Sequence, residues 1–410
     1  MPAFRKRIVV LGAGFGGLHA ALHLLGELEG EADITLVDRN NYSTFLPLLP
    51  QVISGRLGIK SVAHLARRPK IRFLLGRVEG IDLPRKRVLL DATSLEYDYL
   101  IMALGSVANL RGTEGFEKIF TLQSLGDAFR IKYHILDLLE GAAVNGAERR
   151  RAALTFVVCG GGPRGVEVAA EVQRFVREVV GSQYPELDPG LARTVLVHGT
   201  ERLLPDLPGD TSRLALEVLQ DLGVEVLPSS TVTNWDGRKV TIDSGREILT
   251  ETLLWLTGFR ANPVLDGLPL GRDPTGRITV ERTLEVPGFE GVYAVGDNAS
   301  LLDEGTGRPY QLVSSVAVRQ GVHAAANIVR SCRGLPQIPF HYSHKGGALT
   351  LGTGRAIVDR RGVRLDGLPG WWVYGAESLL RLPGLKNKLE LVHDWFFCLL
   401  FGPDTFLVRL

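Results

Sequence analysis

The chain has 410 residues, of which 45% are apolar and 22% charged, with a formal net charge of +2. At about 150 residues per domain this predicts two to three domains of ordinary globular composition, able to bury their cores without disulfide or metal staples. The balanced charge excludes a strongly basic field, and nucleic acid is not an expected partner.

Cys159, Cys332 and Cys398 lie far apart and form no CxxC or CxxxxC pair, which excludes an adjacent redox dithiol and a local zinc knuckle. Met1 to Arg7 leads directly into Ile8-Val9-Val10, with no room for a secretory apolar core. No apolar run approaches the roughly 18 residues of a spanning helix. A cytosolic or peripheral protein is expected.

The apolar strand Ile8-Val9-Val10-Leu11 opens into Gly12-Ala13-Gly14-Phe15-Gly16-Gly17 and then a helix-like stretch from Leu18 to Leu25. Gly12, Gly14 and Gly17 fit a dinucleotide turn. The first makes the tight turn, the second lets backbone approach a pyrophosphate, and the third packs helix against strand. A second strand, Ile34 to Val37, ends in Asp38, where a carboxylate accepts adenosine ribose hydroxyls.

A second copy follows the strand Leu154 to Cys159: Gly160, Gly162 and Gly165 repeat the spacing, and a helix follows through Glu167 and Val172. Two such folds in one chain predict two dinucleotides, as when a flavin and a nicotinamide exchange a hydride. The next strand, Thr194 to Val197, ends in His198 rather than an acid, with Arg202 four residues on. Two readings stay open: His198 and Arg202 admit a 2′-phosphate, or His198 bonds a ribose and Arg202 is a solvated surface charge. The strand Gly291 to Val295 ends in Gly296-Asp297, a close backbone approach with one carboxylate beside it.

These residues resemble a family, the two-dinucleotide flavoprotein reductases, and within them the type II NADH:quinone oxidoreductases. The resemblance runs through Val37 to Tyr42, Ala103-Leu104-Gly105, Gly162 to Glu167, Trp255 to Gly258, Val295 to Asn298, and the tail from Tyr342 to Trp395. It implies an α/β fold of two Rossmann-like domains, the second inserted in the first, plus a C-terminal α+β membrane-associated region. The expected boundaries are 1–115 and 285–330 for FAD, 116–284 for NADH or NADPH, and 331–410 for the membrane or dimer region.

With the loops, the resemblance assigns FAD to Gly12, Gly14, Phe15, Gly16, Gly17, Asp38, Arg39, Ala103, Gly105, Gly296, Asp297 and Ser315. It assigns the nicotinamide nucleotide to Gly160, Gly162, Gly165, His198, Arg202 and Gly258. It implies no metal. The implied reaction passes two electrons from NAD(P)H through FAD to a quinone, without proton pumping. The chain departs from the family's two quinone-site glutamines, which are Ser315 and Arg319 here. A soluble reductase of another acceptor, and a flavoprotein with a regulatory redox role, stay open as alternatives.

Glu167, in the first turn after the second glycine loop, and Lys345, which the resemblance places near the flavin, are the expected catalytic residues. Their bland alternatives are dipole stabilisation of a helix and a solvated lysine. From Leu389 the sequence places Leu389, Val392, Phe396, Leu399 and Leu400 on one helical face, with Trp395, Phe397 and Phe401 widening it. Arg381, Lys386 and Lys388 precede it. An interfacial helix on the cytoplasmic side of the cell membrane is expected, with packing on the core or against a second subunit, as in a homodimer, as the alternative.

Overall fold

The structure is a computed structural model that describes residues 5–343, 346–360 and 363–408. It begins with strand β1 (Lys6–Leu11), helix α1 (Phe15–Leu28), and strands β2 (Ala32–Asp38), β3 (Arg72–Leu75) and β4 (Tyr99–Met102). Helix α2 (Leu125–Val144), strand β5 (Thr155–Cys159), helix α3 (Pro163–Gln183), strand β6 (Arg193–Val197), helix α4 (Gly209–Asp221), and strands β7 (Val224–Leu227) and β8 (Thr252–Trp255) follow. Strand β9 (Val292–Ala294) and helix α5 (Ser314–Cys332) come next. Strands β10 (Gly347–Thr350), β11 (Ala356–Arg360) and β12 (Val363–Leu365) and helices α6 (Gly367–Arg381) and α7 (Leu385–Phe401) end the chain.

Two compact units form: one gathers Met1–Ser43, His64–Val107 and Phe259–His344, the other Thr44–Ala63, Ala108–Gly258 and Lys345–Leu410. In the first, a parallel sheet runs β9-β4-β1-β2-β3. Ile8 to Leu11 are buried on both faces, which is why β1 reads as an unbroken apolar run rather than an alternating one. The segment 259–284, placed with the second nucleotide fold by sequence, belongs to this first unit. Ile278 and Leu284 are buried in the same core as β1 and β4.

The second unit repeats the plan with a parallel sheet ordered β7-β6-β5-β8. The C-terminal residues pack with this unit rather than forming a third body. There β10, β11 and β12 make a small antiparallel sheet, joined by α6 and α7. A buried arginine ties the loop after Ile53 to this unit. Arg56 meets Glu178 at 2.6 Å and Cys398 Sγ at 3.3 Å, and its Nε lies 3.5 Å from the buried Glu171 carboxylate.

The two glycine turns share one stereochemical plan. Gly12 and Gly160 have φ of +98° and +116°, the left-handed region where a side chain is strained. Their N–H groups donate to Val37 O at 2.7 Å and Val197 O at 2.9 Å. A Cβ on Gly17 would lie 1.9 Å from Gly12 O, and one on Gly165 would lie 1.7 Å from Gly160 O, so each helix rests directly on its turn. Gly14 and Gly162 differ: their φ values of −73° and −76° suit any residue, and a Cβ there meets nothing within 4 Å. Nothing in the fold requires them to be glycine.

Thermal unfolding is expected to separate these positions. Gly165→Ala should lose about 2 kcal/mol or more through overpacking, and Gly162→Ala should change stability by less than about 0.5 kcal/mol. Arg56→Leu leaves the Glu171 carboxylate buried without its cation. A loss of about 3 kcal/mol in urea unfolding is expected, partly restored by adding Glu171→Gln.

Candidate functional site

In the first unit the glycine turn lies at the carboxyl edge of the sheet, beside the reversal of strand order at β1 and β4, where open α/β sheets bind ligands. Asp38 closes β2 and turns back on the loop: Oδ2 accepts from Ala13 N at 2.7 Å and Oδ1 from Asn40 N at 2.7 Å. Burial pushes its carboxyl above the ordinary value, opposed by those two N–H bonds and the neighbouring Arg39. Gly16 packs the core: a Cβ on Gly321 of α5 would lie 2.0 Å from Gly16 O, so α1 and α5 touch backbone to backbone. Phe15 is half-buried at the start of α1, and Arg39 is exposed.

A second wall of the same site is braced by a residue to which the sequence assigns no role. Asn298, fully buried, accepts from Gly105 N at 3.2 Å and donates to Gly105 O at 2.6 Å. Gln320 accepts from Gly296 N at 2.7 Å. These amides hold the turn after Ala103 against the turn at Gly296-Asp297, both of which have positive φ at glycine. Asp297 Oδ2 accepts from Ser106 Oγ at 2.6 Å, and the Ser315 hydroxyl lies 2.9 Å from Tyr342 Oη. Arg319, one turn along α5, is exposed.

In the second unit His198 takes the place that Asp38 holds in the first. Gly161 N donates to its Nδ1 at 3.0 Å, and Nε2 lies 2.7 Å from Thr200 Oγ1. Thr200 donates its own proton to Arg202 O at 3.1 Å, so the Thr200 oxygen accepts and the proton sits on Nε2. Burial lowers the His198 pKa, and protonating Nδ1 would also cost the Gly161 bond. The ring is neutral. Gly258, at φ +69°, accepts from Asn109 N at 3.1 Å and closes the turn after β8.

Glu167 lies in the first turns of α3, buried, with Oε1 accepting from Thr350 N at 3.1 Å. Burial pushes its carboxyl up to about 8, with Glu171 adding repulsion and Thr350 N–H and Arg164 opposing. Its protonated form is favoured beyond that of an ordinary glutamate. Thr350, on β10, is a partner that no local sequence signal announces. Lys345 and His344 lie outside the described residues. The three cysteines are unpaired, and burial raises Cys159 to about 12, so it is no nucleophile.

Helix α7 is fastened by its polar side. Asp394 accepts from Gly58 N at 2.8 Å and Ser61 Oγ at 2.5 Å, Trp395 Nε1 donates to Gln51 Oε1 at 2.8 Å, and Asn387 donates to Lys60 O and Ala63 O. Trp395 is thereby turned toward the protein, against Trp371, while Trp372 is exposed. Leu389, Val392, Phe396, Phe397, Leu399, Leu400 and Phe401 all face outward, Phe401 at 76% exposure. Among the described residues no helix is long and apolar enough to cross a membrane.

The open space at Gly14 and Gly162 is a cradle that a Cβ would fill, and the residues around each fit a dinucleotide pyrophosphate. The pyridine nucleotide-disulphide oxidoreductase family model matches residues 6–321. The type II NADH:quinone oxidoreductase NdhA of Mycobacterium tuberculosis is 31% identical over 95% of this chain and 86% of its own length. A second type II NADH:quinone oxidoreductase of that organism, Ndh, is 29% identical over 96% of this chain and 88% of its own length. A structure of NDH2 from Plasmodium falciparum in complex with NADH has the same fold. Its TM-score is 0.89 at 19% identity, covering 98% of this chain and 100% of that one. With both nucleotide turns and the tail included in these matches, the chain belongs to the pyridine nucleotide-disulphide oxidoreductase family and, within it, to the type II NADH:quinone oxidoreductases.

Proposed function

We propose that this chain is a flavin-dependent NADH:quinone oxidoreductase that pumps no protons: NADH, a proton and a quinone enter, and NAD⁺ and a quinol leave. The observation that carries the reading is the pair of complete nucleotide turns, each with one glycine open to a ligand. Bound in the first fold, FAD supplies the two-electron carrier between nicotinamide and quinone. Gly12, Gly14 and Gly17 with the start of α1 take its pyrophosphate, Asp38 its adenosine ribose, and Asp297 and Ser315 the remainder. Gly160, Gly162 and Gly165 take the nicotinamide nucleotide in the second fold.

A quinone accepts two protons as it becomes a quinol. Glu167 holds a proton at a carboxyl oxygen at neutral pH, and Thr350 N–H fixes the other oxygen. It acts as the general acid toward the quinone oxygen. Lys345 is assigned a supporting positive charge. The outward apolar face of α7 supports docking on the cytoplasmic face of the cell membrane, where a lipid quinone is reached. A second subunit on that face is the alternative.

Anaerobic mixing with NADH should bleach the yellow protein, and a soluble quinone should restore the colour. Restoration by dyes but by no quinone would instead favour a reductase of another acceptor. Quinone turnover should be constant below neutrality and fall as pH rises through about 8, as Glu167 loses its proton. Glu167→Gln should abolish that step and slow quinone reduction about 100-fold. The same shift acts on stability. Its folded value lies above that of an ordinary glutamate, so the fold loses stability as pH rises from the ordinary value to about 8. Melting temperatures should therefore show Glu167→Gln gaining on the wild type at pH 8 and not at acid pH.

Flotation with liposomes tests the membrane face. Phe396→Glu with Leu400→Glu alters two exposed residues, so folding should persist while flotation is lost. Unchanged flotation would remove the anchor.

A further inference from the structure

The two nucleotide turns of this chain satisfy the same backbone group with different chemistry. In the first, the N–H of the residue after the leading glycine, Ala13, is met by the Asp38 carboxylate at 2.7 Å. In the second, the equivalent N–H, of Gly161, is met by His198 Nδ1 at 3.0 Å. The structural bond is kept and the negative charge is gone. A strand-end acid at this point accepts the adenosine 2′-hydroxyl and repels a 2′-phosphate. His198 does neither, because its other nitrogen is engaged by Thr200.

The residues that follow supply a cation. Arg202 and Arg213 line a cleft of about 220 Å³ with Gly209, Ser212 and Glu201. Arg213 is shared with Asp210 at 3.3 Å and Glu217 at 3.8 Å. Arg202 has no carboxylate partner among the described residues, and its Nη2 donates only to Pro205 O at 2.7 Å. A Cβ on Gly209 would stand 3.2 Å from Arg202 Nη1, so glycine there leaves the guanidinium room. Glu201 in the same cleft limits the gain, which argues for tolerance of a phosphate rather than a requirement for it.

We propose that the second nucleotide fold accepts NADPH as well as NADH, with His198 removing the barrier to the 2′-phosphate and Arg202 pairing with it. The inference rests on the reading that this fold holds the nicotinamide nucleotide. Calorimetric titration of the FAD-loaded protein with ADP-ribose and with its 2′-phosphorylated form tests it without turnover. The two are expected to bind within about 5-fold of each other. Arg202→Ala should weaken the phosphorylated ligand about 10-fold more than the other, with Arg202→Lys recovering part of the loss. His198→Glu should disfavour the phosphorylated ligand by about 30-fold relative to ADP-ribose. Steady-state kcat/KM for NADPH against NADH should move in the same sense.

A wild-type preference for ADP-ribose above about 50-fold would overturn the proposal. So would an equal loss for both ligands in Arg202→Ala, or an unchanged ratio in His198→Glu. Failure to bind ADP-ribose at all would instead remove the assignment of the nucleotide to this fold, and the proposal with it.

Discussion

Everything at the two nucleotide sites depends on a helix backbone resting on a carbonyl oxygen. Gly17 lies over Gly12 O and Gly165 over Gly160 O, at separations that leave no room for a single methyl. Because the contact is so short, the first turn of each helix is fixed over the carboxyl edge of its sheet. The N–H groups of that turn then point toward whatever occupies the loop, as at any helix N-terminus. The open position two residues past each leading glycine follows from that placement. The fold gains nothing from glycine at 14 or 162, whereas a dinucleotide turn uses glycine there so that backbone can approach the pyrophosphate.

The same helix placement sets the chemistry of Glu167. A carboxylate near a helix N-terminus is ordinarily stabilised, by about 0.3–1 kcal/mol at an exposed site. Here burial outweighs the dipole, and the carboxyl is pushed up rather than down. Dipole stabilisation therefore does not account for this glutamate. Further along α3, Glu171 is buried as well, but Arg56 stands beside it and favours its charged form. Burial pushes both carboxyl groups up, opposed by Arg164 at Glu167 and by Arg56 and Arg174 at Glu171.

Much of this was legible in the sequence, because glycine spacing, strand length and strand-end residues are local signals with direct steric meaning. Gly12, Gly14 and Gly17 and their repeat at 160, 162 and 165 announced both folds. What the sequence left unread depends on residues that are distant along the chain. Thr350 meets Glu167 from a strand of the C-terminal sheet, and Asn298 braces Gly105 from 193 residues further along the chain. The assignment of 259–284 to the second fold failed to anticipate the first unit's core for a related reason. Ile278 sits in a two-residue strand and Leu284 in a bend, both too short for a periodicity that carries an address. His198 was visible as a missing acid, but its bond to Gly161 N, and hence its neutrality, was not.

Helix α7 inverts the usual arrangement of an amphipathic helix. A surface helix of a globular protein buries its apolar stripe and turns polar residues to water. This one buries only Leu391, and holds its place through Asn387, Asp394 and Trp395, each hydrogen-bonded to the segment between residues 51 and 63. Polar anchors are directional, so they fix the rotation of the helix as well as its position. The outcome is a leucine and phenylalanine face held outward. Left in water, each fully exposed side chain of that face forgoes about 1.5–3 kcal/mol of burial. Directional hydrogen bonds from Asn387, Asp394 and Trp395 thus hold the helix with its apolar face exposed.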